Sequence, residues 1–364
     1  MKKIFLCIPT LAAAGAEKFV TDLACNIDKS QFDVTVITTN RWTTDTSFYK
    51  RLTSEGISII DVSADNYWKE FCNIRSAIKK HRPEIVHTNI GAAFHMLLPV
   101  WLEGKKITHY YTVHSIANYD LGGLKKKIMK IALKRKKIIA VAIGDTVKKT
   151  VCDEYGISTE QVPCIYNGVD TSAFMPKEKY CEDDVCRFIS VGSLIEIKNH
   201  KMIIDAFNMV RKKYDNVKLT IVGDGVLFDS LKQQVVDLGL ENDVELTGNR
   251  SDVGALLAES DVYCSASTIE GLPISILEAM STGLPIIATP AGGVVDIVRD
   301  DVNGYIVPHG DLEAMADRMM LFARDKTAVE TIGRASRTEA LKYDEKLCAK
   351  GYEELYNSSK NREN

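Results

Sequence analysis

Two glutamates separated by seven residues, Glu270 and Glu278, carry the most specific chemistry in this sequence. They stand in Thr268-Ile269-Glu270-Gly271-Leu272-Pro273-Ile274-Ser275-Ile276-Leu277-Glu278-Ala279-Met280. The apolar run before them, ending in small residues at 262–267, reads as a buried parallel strand. Pro273 opens a helix at the position where its missing N–H is harmless. Gly283-Leu284-Pro285 closes that helix, with Gly as the stop and Pro just beyond. Glu270 is therefore expected in the turn at the carboxyl end of a strand, beside free amides. Ser275, Glu278 and Thr282 recur at helical spacing and predict one polar stripe, with Ile274, Leu277 and Met280-Ser281 turned toward a sheet. Carboxylates hold hydroxyls, and amides at a helix start favour an anion. A ligand rich in hydroxyls that also carries phosphate, such as a sugar nucleotide, fits both. Taken singly, either glutamate would read as a solvated surface residue.

Other stretches offer complementary groups. Lys198, in Val191-Gly192-Ser193-Leu194-Ile195-Glu196-Ile197-Lys198, supplies a point charge for phosphate. Gly223 stands in a glycine turn after an apolar strand, Leu246-Thr247-Gly248 leads into Asn249 and Arg250, and Gly292-Gly293 precedes a further helix. The first apolar strand runs into Pro9-Thr10-Leu11-Ala12-Ala13-Ala14-Gly15-Ala16-Glu17. This is not G-x-G-x-x-G, which disfavours a dinucleotide-binding start. Gly15 lets a ligand approach the backbone closely. Glu17 suits a helix start with or without a ligand. His87 and His114 fall at the ends of predicted strands, where open α/β sheets place ligands. A lone histidine there is as readily a core residue.

The elements that must position these residues are legible as alternating apolar runs and helical patterns, the signature of parallel α/β sheets. Strands are predicted at 3–8, 32–38, 57–61, 84–87, 107–113, 138–143 and 162–166. The alternation restarts with strands at 188–191, 218–222, 244–246, 261–264, 285–288 and 304–307. The polar segment 176–184 separates the two series. The pattern predicts an α/β chain of two Rossmann-like, doubly wound domains facing a cleft. The first covers 1–168, a linker 169–184, the second 185–342. A terminal amphipathic helix follows at 343–357, then a polar tail.

Length and composition agree: 364 residues, 45% of them hydrophobic, suffice for two cores. The nine cysteines are scattered, with no C-x2-C pair, which favours reduced thiols over a disulfide framework or zinc site. No apolar run reaches the ~18–20 residues that span a bilayer. The basic, then apolar, then small-residue start at 1–16 imitates a signal peptide, but its removal would delete the first strand. Net charge is −3, yet residues 1–166 hold +8 and the remainder −11. Residues 121–140 contain Lys125, Lys126, Lys127, Lys130, Lys134, Arg135, Lys136 and Lys137 and no acidic residue. There Leu124, Ile128 and Ile131 share one helical face, and Lys126, Lys130, Lys134 and Lys137 another. A solvated helix explains them, as does contact with anionic lipid headgroups, at ~1 kcal/mol per basic residue. No aromatic residues interleave the charges, which disfavours nucleic acid.

The run Glu270-x7-Glu278 with the following Gly-Leu-Pro strand resembles the transfer motif of retaining glycosyltransferases of family 4, with the GT-B fold. The loop at 14–17 is similar to that family's G-G-x-E with its first Gly replaced by Ala14. Asn167-Gly168-Val169-Asp170 resembles its N-G-V-D, although a tight turn alone would explain it. The resemblance also implies that the terminal helix 343–357 crosses back to the first, acceptor-side domain. Residues 191–199 resemble its V-G-R-L…K, with Ser193 where the family has Arg. The resemblance implies a metal-independent, retaining hexosyltransferase with no cofactor beyond its nucleotide-sugar co-substrate, expected to be a UDP-sugar. His114, Glu270 and Lys198 take the catalytic positions. The donor is held by Gly15, Ser193, Lys198, Gly223, Asn249, Arg250, Glu270, Gly271, Leu272, Pro273, Ile274 and Glu278. Expected roles are the ribose hydroxyls for Glu278, the sugar hydroxyls for Glu270 and the Gly271 and Leu272 amides, the diphosphate for Lys198 and the Gly15 loop, and the anomeric centre for His114. His87 would order the floor of the cleft. The basic helix points to a glycan or polyprenyl-diphosphate-linked acceptor, as in surface polysaccharide synthesis, and to a cytoplasmic protein peripheral on an anionic membrane through Lys125–Lys137. Ser193 keeps open a catalytically inactive nucleotide-sugar-binding protein. A sugar-nucleotide epimerase would carry a different loop in place of 270–278.

Overall fold

The computed structural model describes residues 1–12, 14–42, 44, 46–104, 107–180 and 183–358. Ala13 of the first loop, Cys181 within the predicted linker and the tail from 359 lie outside them. Two compact units form, one from residues 1–168 with 345–364 and the other from 169–344. Residues 169–184 group with the second unit.

The first unit is built on β1 (Lys2–Ile8), β2 (Phe32–Thr38), β3 (Ser58–Asp61), β4 (Ile85–Asn89), β5 (Thr108–Val113) and β6 (Ile139–Ala142). They lie side by side in the order β3-β2-β1-β4-β5-β6, all parallel. Strand β1 reads as a continuous apolar run because both its faces are covered. Ile4, Leu6 and Ile8 pack with the helices Gly15–Asn26 and Glu345–Ser358. Phe5 and Cys7 point the other way, into a core with Tyr67–His81 and Ala92–Leu102.

The second unit repeats the plan with β7 (Cys186–Val191), β8 (Val217–Val222), β9 (Val244–Gly248), β10 (Val262–Ser265), β11 (Ile286–Ala288) and β12 (Gly304–Ile306). Their order is β12-β11-β10-β7-β8-β9, again all parallel. Phe188, Leu219 and Ile221 meet Phe207, Met319 and Phe322 on one face. In each unit the chain reverses direction along the sheet next to its first strand, which leaves a crevice outside the carboxyl ends of the strands.

Two expectations change. The strand expected at 162–166 shrinks to one parallel bridge between Ala142 and Cys164, flanked by hydrogen bonds from Ala142 N to Pro163 O and from Ile165 N to Ala142 O, both 2.9 Å. Pro163 has no N–H to extend the ladder. The basic helix, Gly123–Lys134, buries Met129, Ala132 and Leu133 rather than the stripe of Leu124, Ile128 and Ile131. Leu124 is 71% exposed and Ile131 54%. Lys126 turns inward to Glu154 at 2.9 Å, which fixes that rotation.

Candidate functional site

At the carboxyl ends of β7 and β10, Lys198 and Glu270 meet. Lys198 Nζ lies 2.5 Å from Glu270 Oε1, with 24% and 12% of their side-chain surfaces exposed. The pairing follows from how each loop is built. Residues 196–198 form a single 3-10 turn ended by Asn199 in the left-handed region (φ 50°), and the helix His200–Arg211 starts there. That turn is tied to the glutamate loop by Thr268 N donating to Ile197 O at 2.8 Å. Behind Lys198, His200 is buried, and burial together with the lysine charge lowers its pKa to about 4. The imidazole is therefore neutral at pH 7 and adds no second cation.

The Glu270 turn is pinned from its other side by glycines. Gly292 has φ +53°, and a Cβ there would stand 2.0 Å from Glu270 O. Gly293 N donates to Gly271 O at 2.6 Å. Pro273 is the residue before the helix, which runs Ile274–Ser281 with no side-chain cap. No side chain caps its first turn, where Ile276 N turns back to Pro273 O at 3.2 Å. Leu272 and Pro273 are buried; Ile274, Ser275 and Glu278 are half-buried along the helix. Thr282 does not complete the expected polar stripe: it is buried, and its hydroxyl donates to Glu278 O at 3.0 Å. Tyr263, missed in the sequence, braces the site from below. Its hydroxyl donates to Val191 O at 3.1 Å and meets the Ser275 hydroxyl at 2.9 Å, while burial pushes the phenol pKa up.

The glycine loops pack beside this turn. Gly223 has φ +141°, and a Cβ on it would collide with Gly192 O at 2.0 Å. Gly223 N donates to Gly248 O at 3.0 Å and Leu194 N to Asp224 O at 2.9 Å. Ser193 is exposed at the tip of the first loop, and the Lys198 stem passes over Gly192. Asn249 and Arg250 are exposed just past β9. The Arg250 guanidinium is held by the Asp252 carboxylate at 2.6 Å.

Gly15 and His114 belong to the first unit. Gly15 is the exposed first residue of its helix, following Ala14, which offers no side-chain cap. Glu17 is buried, with Oε1 accepting from Thr10 Oγ1 at 3.2 Å, and burial raises its pKa. His114 is half-buried, and its Nε2 donates to Asn89 Oδ1 at 2.8 Å, while Asn89 Nδ2 donates to Cys7 O at 3.2 Å. That chain places the imidazole proton on Nε2 and leaves Nδ1 as an acceptor. His87 is fully buried between Tyr356 OH at 2.5 Å and Thr112 Oγ1 at 2.6 Å, and burial lowers its pKa to about 3. It is a core residue of the first unit that docks the last helix.

A groove of about 1070 Å³ lies at the other end of the second sheet, lined by Lys177, Arg187, Lys218, Asp243 and Asp261 among others. Two of its lysines are paired within the protein, Lys177 to Asp261 at 2.9 Å and Lys218 to Asp243 at 2.8 Å. The Gly192, Gly223 and Gly292 turns and the start of the Ile274–Ser281 helix stand at the opposite, carboxyl end.

Comparison with known proteins divides the chain in the same way. Residues 13–173 match the family described as Glycosyltransferase Family 4, and 176–339 match Glycosyl transferases group 1. The UDP-Gal:alpha-D-GlcNAc-diphosphoundecaprenol alpha-1,3-galactosyltransferase of Escherichia coli is 27% identical over 279 residues, 71% of each chain. The N-acetyl-alpha-D-glucosaminyl L-malate synthase of Bacillus anthracis is 24% identical over 282 residues, 74% of this chain and 73% of the other. Among solved structures, a glycosyltransferase from Rickettsia africae superposes with a TM-score of 0.84 at 22% identity, covering 99% of both chains. HepE of Anabaena, solved with UDP and glucose, gives 0.85 at 20% identity over 98% of this chain and 100% of its own. These two establish likeness of fold.

Proposed function

We propose, for a chain that belongs to the GT-B glycosyltransferases of the family 4 and group 1 type, that its sugar donor is a UDP-sugar and its acceptor a polyprenyl-diphosphate-linked glycan. Transfer of a sugar from a nucleotide-sugar to an acceptor is the activity common to that family. The observation that carries the finer reading is the Lys198–Glu270 pair, set beside uncapped helix amides and two glycine turns. An ammonium and free amides suit a leaving diphosphate, and a carboxylate beside them suits sugar hydroxyls. In this reading Lys198 and the Gly15 loop hold the diphosphate. Glu270 with the Gly271 and Leu272 amides holds the sugar, and Glu278 holds the ribose. Gly223, Asn249 and Arg250 border the base, and His114 acts at the anomeric centre.

The reaction is assigned as retaining and metal-independent. The C–O bond to the diphosphate breaks as the acceptor oxygen attacks from the same face, and the departing phosphate takes the acceptor proton. Rate would then come from positioning and charge stabilisation. The lipid-linked acceptor draws support from the printed activity of the E. coli relative and from the lysines between Lys125 and Lys137. The same lysines support a protein peripheral on the cytoplasmic face of an anionic membrane.

Ser193 sustains one other reading, a donor-binding protein without turnover, because a second cation is missing beside the leaving group. Incubating purified protein with UDP-, GDP-, ADP- and dTDP-sugars, with and without a membrane lipid extract, separates the two. Nucleotide release that needs both UDP-sugar and lipid supports the transferase proposed. Donor binding without release under any acceptor overturns it in favour of the inactive form.

A further inference from the structure

The helix Lys326–Ala340 meets the end of the helix that carries Glu278, through two of its residues set one turn apart. Gly333 lets the backbones touch: a Cβ there would stand 2.3 Å from Gly283 O, just past the end of Ile274–Ser281. One turn on, Arg337 Nη1 lies 2.8 Å from Ser281 O and 2.7 Å from Ser281 Oγ. The same nitrogen stands 3.0 Å from both Thr171 O and Phe174 O. The Ser281 hydroxyl in turn donates to Phe174 O at 3.0 Å. A guanidinium donates from a fixed planar fork, so one side chain gathers carbonyls of separate segments in a set geometry. Its charge also suits the carboxyl end of a helix.

We infer that Arg337 is a positioning residue for Glu278, holding the end of the Glu278 helix to the segments by which the chain enters and leaves the second unit. Ser281 follows Glu278 within that helix, and Glu278 O accepts from Thr282 N and Thr282 Oγ1, both at 3.0 Å. The turn that Arg337 grips is thus the turn that bears the carboxylate. On the other side, Thr171 and Phe174 belong to the segment that opens the second unit at Val169. Val169 N donates to Tyr343 O at 2.8 Å and the Thr171 hydroxyl to the Asp344 carboxylate, which ties in the segment that closes the unit. Arg337 itself is half-buried, and its hydrogen bonds go to carbonyls and a hydroxyl, not to a carboxylate. Burial lowers its pKa, opposed by the charge of Asp344. A cation desolvated without a direct ion pair adds little net stability, which leaves geometry as what it supplies.

This deepens the proposed donor site and rests on Glu278 holding the ribose. UDP affinity is measured by calorimetry on the full chain. Arg337→Gln should weaken it roughly tenfold, and Ser281→Ala, which removes one oxygen from the network, roughly threefold. In a Glu278→Ala background neither change should weaken it further, whereas a generally loosened unit would lose affinity by the same factor in both backgrounds. Saturating UDP should slow amide exchange across 169–174, and Ser281→Ala should remove that protection. Glu278-dependent binding that both variants leave intact, or weaken equally with and without Glu278, or that leaves exchange at 169–174 unchanged, overturns the inference alone. A native protein that binds no UDP, or binds it as well after Glu278→Ala, overturns the donor reading and the inference together. Should Arg337→Gln fail to fold, Ser281→Ala carries the same comparison.

Discussion

At the residue scale, Lys198 and Glu270 neutralise each other at 2.5 Å, so a donor taking the proposed site would exchange partners with a pair already formed. Lys198→Ala should therefore lower turnover by roughly 10²–10³-fold, with a smaller effect on donor binding; single-turnover kinetics beside calorimetric binding would check this. Glu278→Ala should do the reverse, weakening UDP binding with less effect on the rate at saturation. Unchanged affinity would remove its ribose role. Gly292→Ala introduces a side chain at φ +53° against Glu270 O. It should cost about 1–3 kcal/mol and displace the carboxylate, read as a lower denaturation midpoint together with lost donor binding. Both members of the charged pair were legible in the sequence as separate candidates, but their contact was not, because they are 72 positions apart with three strands between them. Tyr263 was missed for a related reason: a tyrosine in an apolar strand gives no sign of where its hydroxyl ends.

At the element scale, strand positions were readable to within about two residues wherever an apolar run was bounded by turn residues. The seventh strand failed at Pro163, whose missing donor halts a ladder that hydrophobicity alone would extend. On the basic helix periodicity picked out Leu124, Ile128 and Ile131, whereas its neighbours bury Met129, Ala132 and Leu133. The first sheet also carries a titration that no motif announces. His87 and His109 are buried on adjacent strands, and burial holds each pKa at about 3, below the usual ~6.5 of the unfolded chain. Below pH ~6.5 the unfolded chain takes up protons that the folded one refuses. Their stabilising contribution is thus complete above that pH and declines by ~1.4 kcal/mol per unit per histidine as pH falls toward 3. Asp120 acts oppositely: half-buried and hydrogen-bonded by Tyr111, it is desolvated enough to titrate at about 6, and it favours folding as pH drops from 6 toward the ordinary carboxylate value. Denaturation midpoints should fall between pH 6.5 and 4, and Asp120→Asn should steepen the fall.

At the scale of the whole molecule, the doubling of the strand pattern announced two sheets, and the sequence placed a terminal helix after the second. The resemblance implied that this helix returns to the first domain; which side chains it brings to that core was not readable. Tyr352 and Tyr356 enter the first core, where their hydroxyls meet Thr112 at 3.0 Å and His87 at 2.5 Å. A chain stopped after Asp344 should lose protease resistance within 1–168 while 169–344 stays resistant, and cleavage in the second unit instead would contradict this division of labour. The same arrangement bears on synthesis. A ribosome delivers the amino-terminal sheet first, yet the side chains that plug it emerge only after the whole of 169–344. The chain of the second unit is made before them, so the first core can close fully only after the second unit has left the ribosome. Throughout that interval the nascent amino-terminal half waits with its core open, and a chaperone that shields apolar surface would find its client there.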